Sequence, residues 1–265
     1  MKKGIIYLVL FSSIIYGFAP EPGGANPALY TATNEAYKRG EVLKYRLHYG
    51  WMDAGEAVMQ VKEEIKKIGS RSVFHVVGTG ISKGTFDWFF KVRDRYETYI
   101  DEESLVPWLF IRRVEEGSYT LSQDYFFNHY KNKVDVGGGT LYDIPSNTQD
   151  MISSFYAARC IDFSNAKEGD IFTINSFVDK EIFELKIKYV GKETIKSDVG
   201  KIRCLKFSPV LQKGRIFKRE EDLKVWISDD KNHIPIRAQA DILFGSLKID
   251  LSDYKELTNK MALED

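Results

Sequence analysis

The four histidines are the first residues to consider for chemistry, because imidazole is both a general base and the commonest metal ligand in proteins. They are isolated in the sequence, and none has a second ligand at the spacing of a metal site: His48, His75, His129 and His233. The chain also has no Gly-x-Ser-x-Gly elbow, P-loop or dinucleotide-binding fingerprint. The sequence therefore predicts a non-enzymatic protein that uses no metal and no cofactor.

A short run of aromatic residues could bind an apolar ligand. Such rings can form a lid or a floor over a lipid-like molecule. Ordinary core packing is the alternative, because aromatic side chains are usually buried for their bulk. The run is too short for periodicity to distinguish a helical turn from a strand edge. Its members are candidate ligand contacts: Phe86, Trp88, Phe89 and Phe90.

Four arginines follow this run and could bind an anionic headgroup. A guanidinium can form two parallel hydrogen bonds with such a group. Pairing with acidic residues on neighbouring strands is the alternative. The arginines are Arg93, Arg95, Arg112 and Arg113, and we place Arg93 in the candidate ligand site.

One segment has the pattern of an amphipathic helix. Ser146 and Gln149 have the spacing of a capping box, and apolar residues then recur at helical intervals. A cation in the last turn is favoured by the helix dipole. The pattern predicts a helix over Thr148 to Cys160 that lies across a sheet, with three candidate ligand contacts: Met151, Phe155 and Arg159.

The two cysteines, Cys160 and Cys204, could form a disulfide. An exported protein is in a compartment that permits such a bond. Two buried free thiols are the alternative, because cysteine also packs as a small apolar residue. The sequence leaves both states open, since it does not give the Cα separation that a bridge requires.

Short β-strands must position these residues. Val42 to Tyr49 alternates between apolar and polar side chains, as expected for a half-buried strand, and turn residues separate it from similar segments. Asp101, Pro107 and Gly117-Ser118 in one part of the chain have the same spacings as Asp229, Pro235 and Gly245-Ser246 in another. Ahead of them, Gly40-Glu41 matches Gly169-Asp170 after a slip of one residue. Any β meander collects such residues at turns, but the shared spacing favours two related halves.

We therefore predict a mainly β protein. Its fold is a large curved antiparallel sheet or open barrel built from two related meander halves, with one amphipathic helix packed across it. The predicted divisions are a signal peptide over 1–19, a flexible leader over 20–39, a first β half over 40–127, a connector with the helix over 128–168, a second β half over 169–256 in one joint domain, and a tail over 257–265.

The N-terminal segment predicts export. Met1-Lys2-Lys3 is basic, and the apolar run from Gly4 to Phe18 is shorter than a membrane-spanning helix. Lysine plus arginine and aspartate plus glutamate number 38 each, so the net charge is zero. No overall positive field favours a nucleic-acid partner. We expect a protein of the periplasm or cell surface that is not lipid-anchored, because no cysteine lies near the signal.

The ordered motifs resemble a family of exported bacterial proteins called domain of unknown function 3108. The resemblance covers nearly the whole mature chain and rests on several short motifs: Gly40-Glu41-x-Leu43-x-Tyr45, Tyr49-Gly50, Ala54-Gly55, Asp94-x-Tyr96, Ile100-Asp101, Tyr156-x-x-Arg159, Gly191-x-Glu193 and Val225-Trp226-Ile227-Ser228-Asp229-Asp230. It implies a β-rich periplasmic or surface protein and supplies no activity.

Two functions are consistent with these patterns. The first is binding of an apolar or lipid-like ligand between the curved sheet and the helix, in a fold similar to bacterial lipoprotein carriers. The second is a structural or assembly module that binds another envelope protein or a glycan through exposed aromatic residues. The sequence does not fix the oligomeric state.

Overall fold

A computed structural model describes residues 29–50, 52–210, 223–241 and 246–264 of the chain. Within these ranges sixteen strands form one antiparallel sheet, which confirms the predicted mainly β architecture. The sheet does not close into a barrel: its two ends are β10 and β9. The predicted signal peptide and Gly245 lie outside the described residues.

The strand bounds are β1 Val42–Tyr49, β2 Met52–Val61, β3 Lys66–Ile68, β4 Arg71–Ser82, β5 Arg93–Asp101, β6 Pro107–Glu116, β7 Tyr119–Asn128, β8 Lys133–Asp135, β9 Leu141–Asp143, β10 Ile171–Val178, β11 Glu181–Ser197, β12 Gly200–Pro209, β13 Leu223–Ser228, β14 Pro235–Asp241, β15 Ser246–Lys255 and β16 Leu263–Glu264. Helix α1 spans Gly84–Phe89 and helix α2 spans Met151–Arg159.

The sheet consists of two meanders joined at the first and last long strands. Its order is β10-β11-β12-β13-β14-β15-β1-β2-β4-β5-β6-β7-β8-β9. Strand β1 pairs with β15 over its whole length, from Val42 opposite Lys255 to Tyr49 opposite Leu247. The first half of the chain therefore runs from the middle of the sheet to one edge, and the second half runs from the other edge back to the middle.

The hairpins β5–β6 and β13–β14 have the same register, which supports the predicted relation between the halves. Ile100 lies opposite Pro107 and Ile227 lies opposite Pro235, in each case beside a β-bulge. The loops also share a left-handed residue at the same place, Leu105 with φ 55° and His233 with φ 45°. The second loop is one residue longer, so Asp101 is structurally equivalent to Ser228 and not to Asp229.

The start of each half is repeated as well. Gly40 and Gly169 have φ of 86° and 97°, a region that favours glycine. Each donates its N–H to a later strand at 2.9 Å, Gly40 to the Val61 carbonyl and Gly169 to the Tyr189 carbonyl. The same turn of backbone therefore leads into β1 and β10.

Helix α2 begins later than predicted, because a different residue caps it. The Asp150 carboxylate accepts hydrogen bonds from the N–H groups of Ile152 and Ser153, and the Ser153 hydroxyl accepts one from the Asp150 N–H. The predicted cap of Ser146 with Gln149 is wrong. Gln149 instead forms two backbone hydrogen bonds with β10. Its N–H donates to the Asn175 carbonyl, and its carbonyl accepts from the Phe177 N–H.

Part of the predicted flexible leader is packed on the sheet. Ala36 and Tyr37 are buried, and the Tyr37 ring lies 5.2 Å from Phe74 and 4.7 Å from Tyr156. The expectation of poor order is wrong for residues 29–39, since one aromatic ring anchors the segment in the core. The tail is also fixed, because Met261 and Ala262 are buried and β16 pairs with β12.

Candidate functional site

The eight predicted ligand contacts fall into two groups at different places. Phe86, Trp88, Phe89, Phe90 and Arg93 lie in or beside α1, whereas Met151, Phe155 and Arg159 lie on α2. Within the described residues, no hydrogen bond, ion pair or ring contact joins the two groups.

Helix α1 exposes its aromatic side chains to solvent. Trp88 is 81% exposed, Phe89 72% and Phe90 44%, whereas Phe86 is half-buried. The Trp88 and Phe89 rings contact each other edge to face at 4.7 Å. Core packing, the alternative for this run, is therefore wrong for these three side chains. We call Trp88, Phe89 and Phe90 the aromatic patch.

Arg93 holds α1 in place and is not free for a ligand. Its guanidinium donates to the Asp87 carboxylate at 2.7 and 3.1 Å and to the Ser82 hydroxyl at 3.3 Å. This interaction lowers the pKa of the Asp87 carboxyl. The ion pair of Arg93 with Asp87 therefore lies within the connection between β4 and β5.

Arg159 forms a buried ion pair with Glu41, a residue that the sequence analysis did not select. Both side chains are almost fully buried, and the guanidinium binds the two carboxylate oxygens at 2.6 and 2.7 Å. It also donates to the carbonyls of Asn232 at 2.9 Å and Ala36 at 3.0 Å. The pair connects α2 to both halves of the sheet, and these bonds use four of the five N–H groups of Arg159.

The other two helical candidates are part of the core. Met151 packs against the apolar cluster that contains Ile152 and Tyr156, and Phe155 packs against that cluster and a second one around Tyr45. Burial raises the pKa of Tyr156 well above its usual value. The space beneath the middle of α2 is therefore filled by protein side chains.

A cleft opens instead at the C-terminal end of α2. It encloses about 550 Å³ between the end of the helix, the chain that follows it, strands β11 and β12, and the loop after β13. Its apolar lining includes Phe163, Tyr189 and Leu205, all of which are buried. We call this space the terminal cleft.

Charged side chains surround the terminal cleft. Lys192 pairs with Asp229 at 2.9 Å and Lys231 with Glu35 at 2.7 Å. His233 donates from Nδ1 to the Arg159 carbonyl at 2.8 Å, because a carbonyl can only accept. The terminal cleft thus has an apolar floor and a polar rim.

Cys160 lines the terminal cleft as a free thiol. Burial raises its pKa to about 12, so the thiol keeps its proton at neutral pH. Cys204 is also free and lies in a different apolar cluster, with a pKa likewise raised by burial to about 12. The structure therefore has the free thiols and not the disulfide.

The terminal cleft lies where the second half has smaller side chains than the first. Ala166 lies three residues before Gly169, as Tyr37 lies three residues before Gly40. Leu205 pairs with Ile227 as Phe74 pairs with Ile100. A tyrosine and a phenylalanine that contact each other in the first half are thus replaced by an alanine and a leucine, which both line the terminal cleft.

Sequence reasoning missed the residues that form this cleft. Ala166 and Leu205 carry no chemical signal of their own, and they stand out only when the repeat is extended three residues before each glycine. A second, smaller cleft of about 410 Å³ beside β2 is lined by polar and charged residues, among them Arg46, Asp53, Glu56 and Lys83. Lys83 and Glu56 form an ion pair there.

The described ranges contain neither a metal-binding group nor a membrane-spanning helix. No group of three or more histidine, cysteine or acidic residues could hold a metal ion. No helix in these ranges is both long enough and apolar enough to cross a membrane.

Solved structures with a similar fold have little sequence identity to this chain. A β-barrel-like protein of domain of unknown function DUF1849 from Brucella abortus has a TM-score of 0.52 at 10% identity, covering 84% of this chain and 99% of that one. The hypothetical protein CT021 from Chlamydia trachomatis has a TM-score of 0.39 at 8% identity, covering 82% and 87%. Only the first similarity is high enough to indicate a shared fold.

No curated protein matches the chain. A family model does match it, over residues 44–252, and that family is described as a protein of unknown function, DUF3108. The match includes most of both halves of the sheet and spans the motif at Val225-Trp226-Ile227. The chain therefore belongs to the DUF3108 family.

Proposed function

We propose that this protein is an exported, non-enzymatic protein of the cell envelope that binds an apolar or lipid-like ligand in the terminal cleft. One observation carries the proposal: a cleft of about 550 Å³ has a buried apolar floor and a charged rim. Small-molecule sites usually have volumes of about 300–1,000 Å³ and this division of lining residues.

The position of the ligand differs from the sequence-based expectation. The middle of α2 packs on the sheet, so the ligand contacts the end of the helix near Cys160 and not Met151 or Phe155. The basic and apolar N-terminal segment supports the envelope location.

The ionisable groups of the terminal cleft support binding and not catalysis. The Cys160 thiol is protonated, because burial raises its pKa to about 12. Lys192 and Lys231 are held in ion pairs with acidic residues of the rim. The Cys160 thiol donates to the amide oxygen of Asn34 at 3.7 Å and not to a base that would activate it.

Native mass spectrometry of protein taken from its own envelope tests this function. We expect a bound mass on the wild-type protein and its loss from Ala166→Tyr, which places in the terminal cleft the ring that Tyr37 supplies in the first half. Asn165→Tyr is the matched control, because Asn165 is exposed and does not line the cleft. A wild-type protein without ligand, or equal binding by both variants, contradicts the proposal.

The aromatic patch supports a second function, in which the protein docks another envelope protein or a glycan. Exposed aromatic rings on a six-residue helix add nothing to the core, and such patches are typical of interaction sites. Crosslinking in intact cells tests it. We expect Trp88→Ser with Phe89→Ser to lose a crosslinked partner that Ile65→Ser, at another exposed apolar residue, retains.

A further inference from the structure

We infer that the ligand of the terminal cleft carries an aromatic ring next to a positive charge. This inference rests on the proposed function, since it assumes that the terminal cleft holds a ligand. It names the chemical class that two separate features of the cleft would recognise: the absence from the second half of a ring equivalent to Tyr37, and two carboxylates that form no ion pair with another described residue.

The repeat of the fold shows what is missing from the second half. In the first half the Tyr37 ring is buried and lies 5.2 Å from Phe74. Ala166 and Leu205 occupy the equivalent positions in the second half, with the same backbone hydrogen bond at the following glycine. At this position the second half therefore has no ring equivalent to Tyr37, and its two smaller side chains line the terminal cleft.

The walls that remain are suited to an aromatic ring. Phe163 lies edge to face with Phe172 at 4.9 Å and with His233 at 5.1 Å. Tyr189 lies 5.4 Å from Phe207 on the neighbouring strand. Aromatic rings prefer such offset and edge contacts with one another, so a further ring can extend this group.

The charges of the rim favour a cation. Lys192, Lys231 and Arg159 are each neutralised by a carboxylate. Two further carboxylates of the lining, Asp162 and Asp230, form no ion pair in the described part of the chain.

Backbone N–H groups hold these two carboxylates in place. Asp162 accepts from Ser164 at 2.9 Å, and Asp230 accepts from Asn232 at 2.8 Å and from Ala262 at 2.7 Å. Hydrogen bonds of this kind favour the ionised carboxylate. The lining therefore has an excess of negative charge beside aromatic faces, and both attract a cation.

Three small probes separate the contributions of ring and charge. Benzyltrimethylammonium has both, cyclohexylmethyltrimethylammonium keeps the charge with a saturated ring, and benzenesulfonate keeps the ring with the opposite charge. Each is titrated into the whole protein, and binding is followed by isothermal calorimetry and by NMR chemical shifts. We expect benzyltrimethylammonium to bind about threefold more tightly than its saturated analogue and benzenesulfonate to bind most weakly.

Two variants locate the binding. Asp162→Asn should weaken binding of benzyltrimethylammonium about threefold, as expected for the loss of one partly exposed charge contact. Asp143→Asn is the control, because Asp143 is exposed on β9 and does not line the cleft. Ala166→Tyr should abolish binding of all three probes.

A fourth probe separates failure of this inference from failure of the proposed function. Dodecyl maltoside, used below its micelle concentration, has an apolar chain with neither an aromatic ring nor a charge. One outcome is that dodecyl maltoside binds the wild-type protein and not Ala166→Tyr, while the three small probes bind equally or not at all. In that case the inference is wrong and the proposed function stands. If none of the four probes binds, both are wrong.

Discussion

The two halves of the sheet treat the same position differently. The first half fills it with Tyr37 and Phe74 and covers it with a packed chain segment, whereas the second half has Ala166 and Leu205 there and opens the terminal cleft. The backbone around the position is shared, down to the left-handed residue of the neighbouring loop. One copy of the repeated unit thus fills this position with two packed rings, while the other has two smaller side chains there that line a cleft, the cleft in which we propose that a ligand binds.

The hairpin loops extend this comparison. Asp101 is fully buried in the first loop, where its carboxylate accepts hydrogen bonds from Arg71, Ser104 and Trp108. In the second loop the equivalent residue is Ser228, and Asp230 takes the carboxylate role at the edge of the cleft. The carboxylate that holds the first loop therefore lies inside the protein, and the carboxylate that holds the second loop lies at the edge of the cleft.

The largest expected difference between the halves is at these carboxylates. Asp101→Ala should lower the free energy of unfolding by about 3–5 kcal/mol, because it removes the buried carboxylate that binds Arg71 and leaves the donors of Ser104 and Trp108 without a partner. Asp230→Ala should cost about 1–2 kcal/mol, since Asp230 is only half-buried and its carboxylate accepts hydrogen bonds without forming an ion pair among the described residues. Guanidinium unfolding of both variants measures the two costs, and equal costs would contradict the proposed difference between the loops.

Exchanging the large and small side chains should affect the halves unequally. Tyr37→Ala removes a buried ring from the core and should cost about 3 kcal/mol. Ala166→Tyr adds a ring to an existing cleft and should change stability by less than about 1 kcal/mol. Thermal and chemical unfolding measure both effects, with Asn165→Tyr as the control. A large loss from Ala166→Tyr would mean that no room for a ring exists.

The first half should also lose stability in weak acid. Burial lowers the pKa of His129 to about 4, and its Nε2–H donates to the Pro107 carbonyl at 2.7 Å. The unfolded chain binds the proton near pH 6.5, so this contribution is complete above that pH and is lost as the pH falls towards 4. A shift of this size corresponds to about 3 kcal/mol.

Unfolding measured between pH 7 and pH 4 tests this dependence. His129→Gln, which keeps a side-chain N–H donor and does not titrate, should flatten the dependence. An unchanged slope in this variant would assign the acid sensitivity to another group.

A second acid transition should follow at lower pH. Hydrogen bonds from Arg71 and Trp108 outweigh burial and lower the pKa of Asp101 to about 2. Because the folded pKa lies below the unfolded one, the stabilisation is complete above about pH 4 and is lost as the pH falls to 2. It amounts to about 2 kcal/mol. Asp101→Asn should remove this transition in unfolding experiments below pH 4, and a persisting transition would exclude Asp101 as its source.

The smallest expected change in stability is at the aromatic patch, which belongs to neither of the two equivalent positions compared above. Trp88→Ser with Phe89→Ser should change the free energy of unfolding by less than about 0.5 kcal/mol, because both rings are already in water. Denaturant unfolding checks this value. A loss above 1 kcal/mol would show that the patch contributes to the fold and is not reserved for a partner.

The regular parts of the fold were predictable from the sequence. Strand β1 has the predicted bounds because its alternation is uninterrupted, and the repeated aspartate and proline mark equivalent hairpins. The start of α2 was not predictable, since two adjacent segments, residues 146–149 and 150–153, have capping-box spacing. The contact of Thr98 with Asp150 and the pairing of Gln149 with β10 decide between them, and both depend on distant strands.

The site was less predictable than the fold. The composition of the aromatic run is the same whether Trp88 is buried or exposed, so only the tertiary structure distinguishes a core from a patch. The terminal cleft arises from small residues, and an alanine such as Ala166 leaves no pattern in a single sequence. Ala166 becomes informative only when it is compared with Tyr37, the equivalent residue of the first half.

The pairing of β1 with β15 has a consequence for how the chain is completed. These strands lie about 200 residues apart in the sequence and form the middle of the sheet. If the chain leaves a membrane pore N-terminus first, β1 waits with one bare hydrogen-bonding edge until the last long strand emerges. An open strand edge invites pairing with other chains. A protein of this topology is therefore most vulnerable to aggregation in the interval before its last long strand arrives.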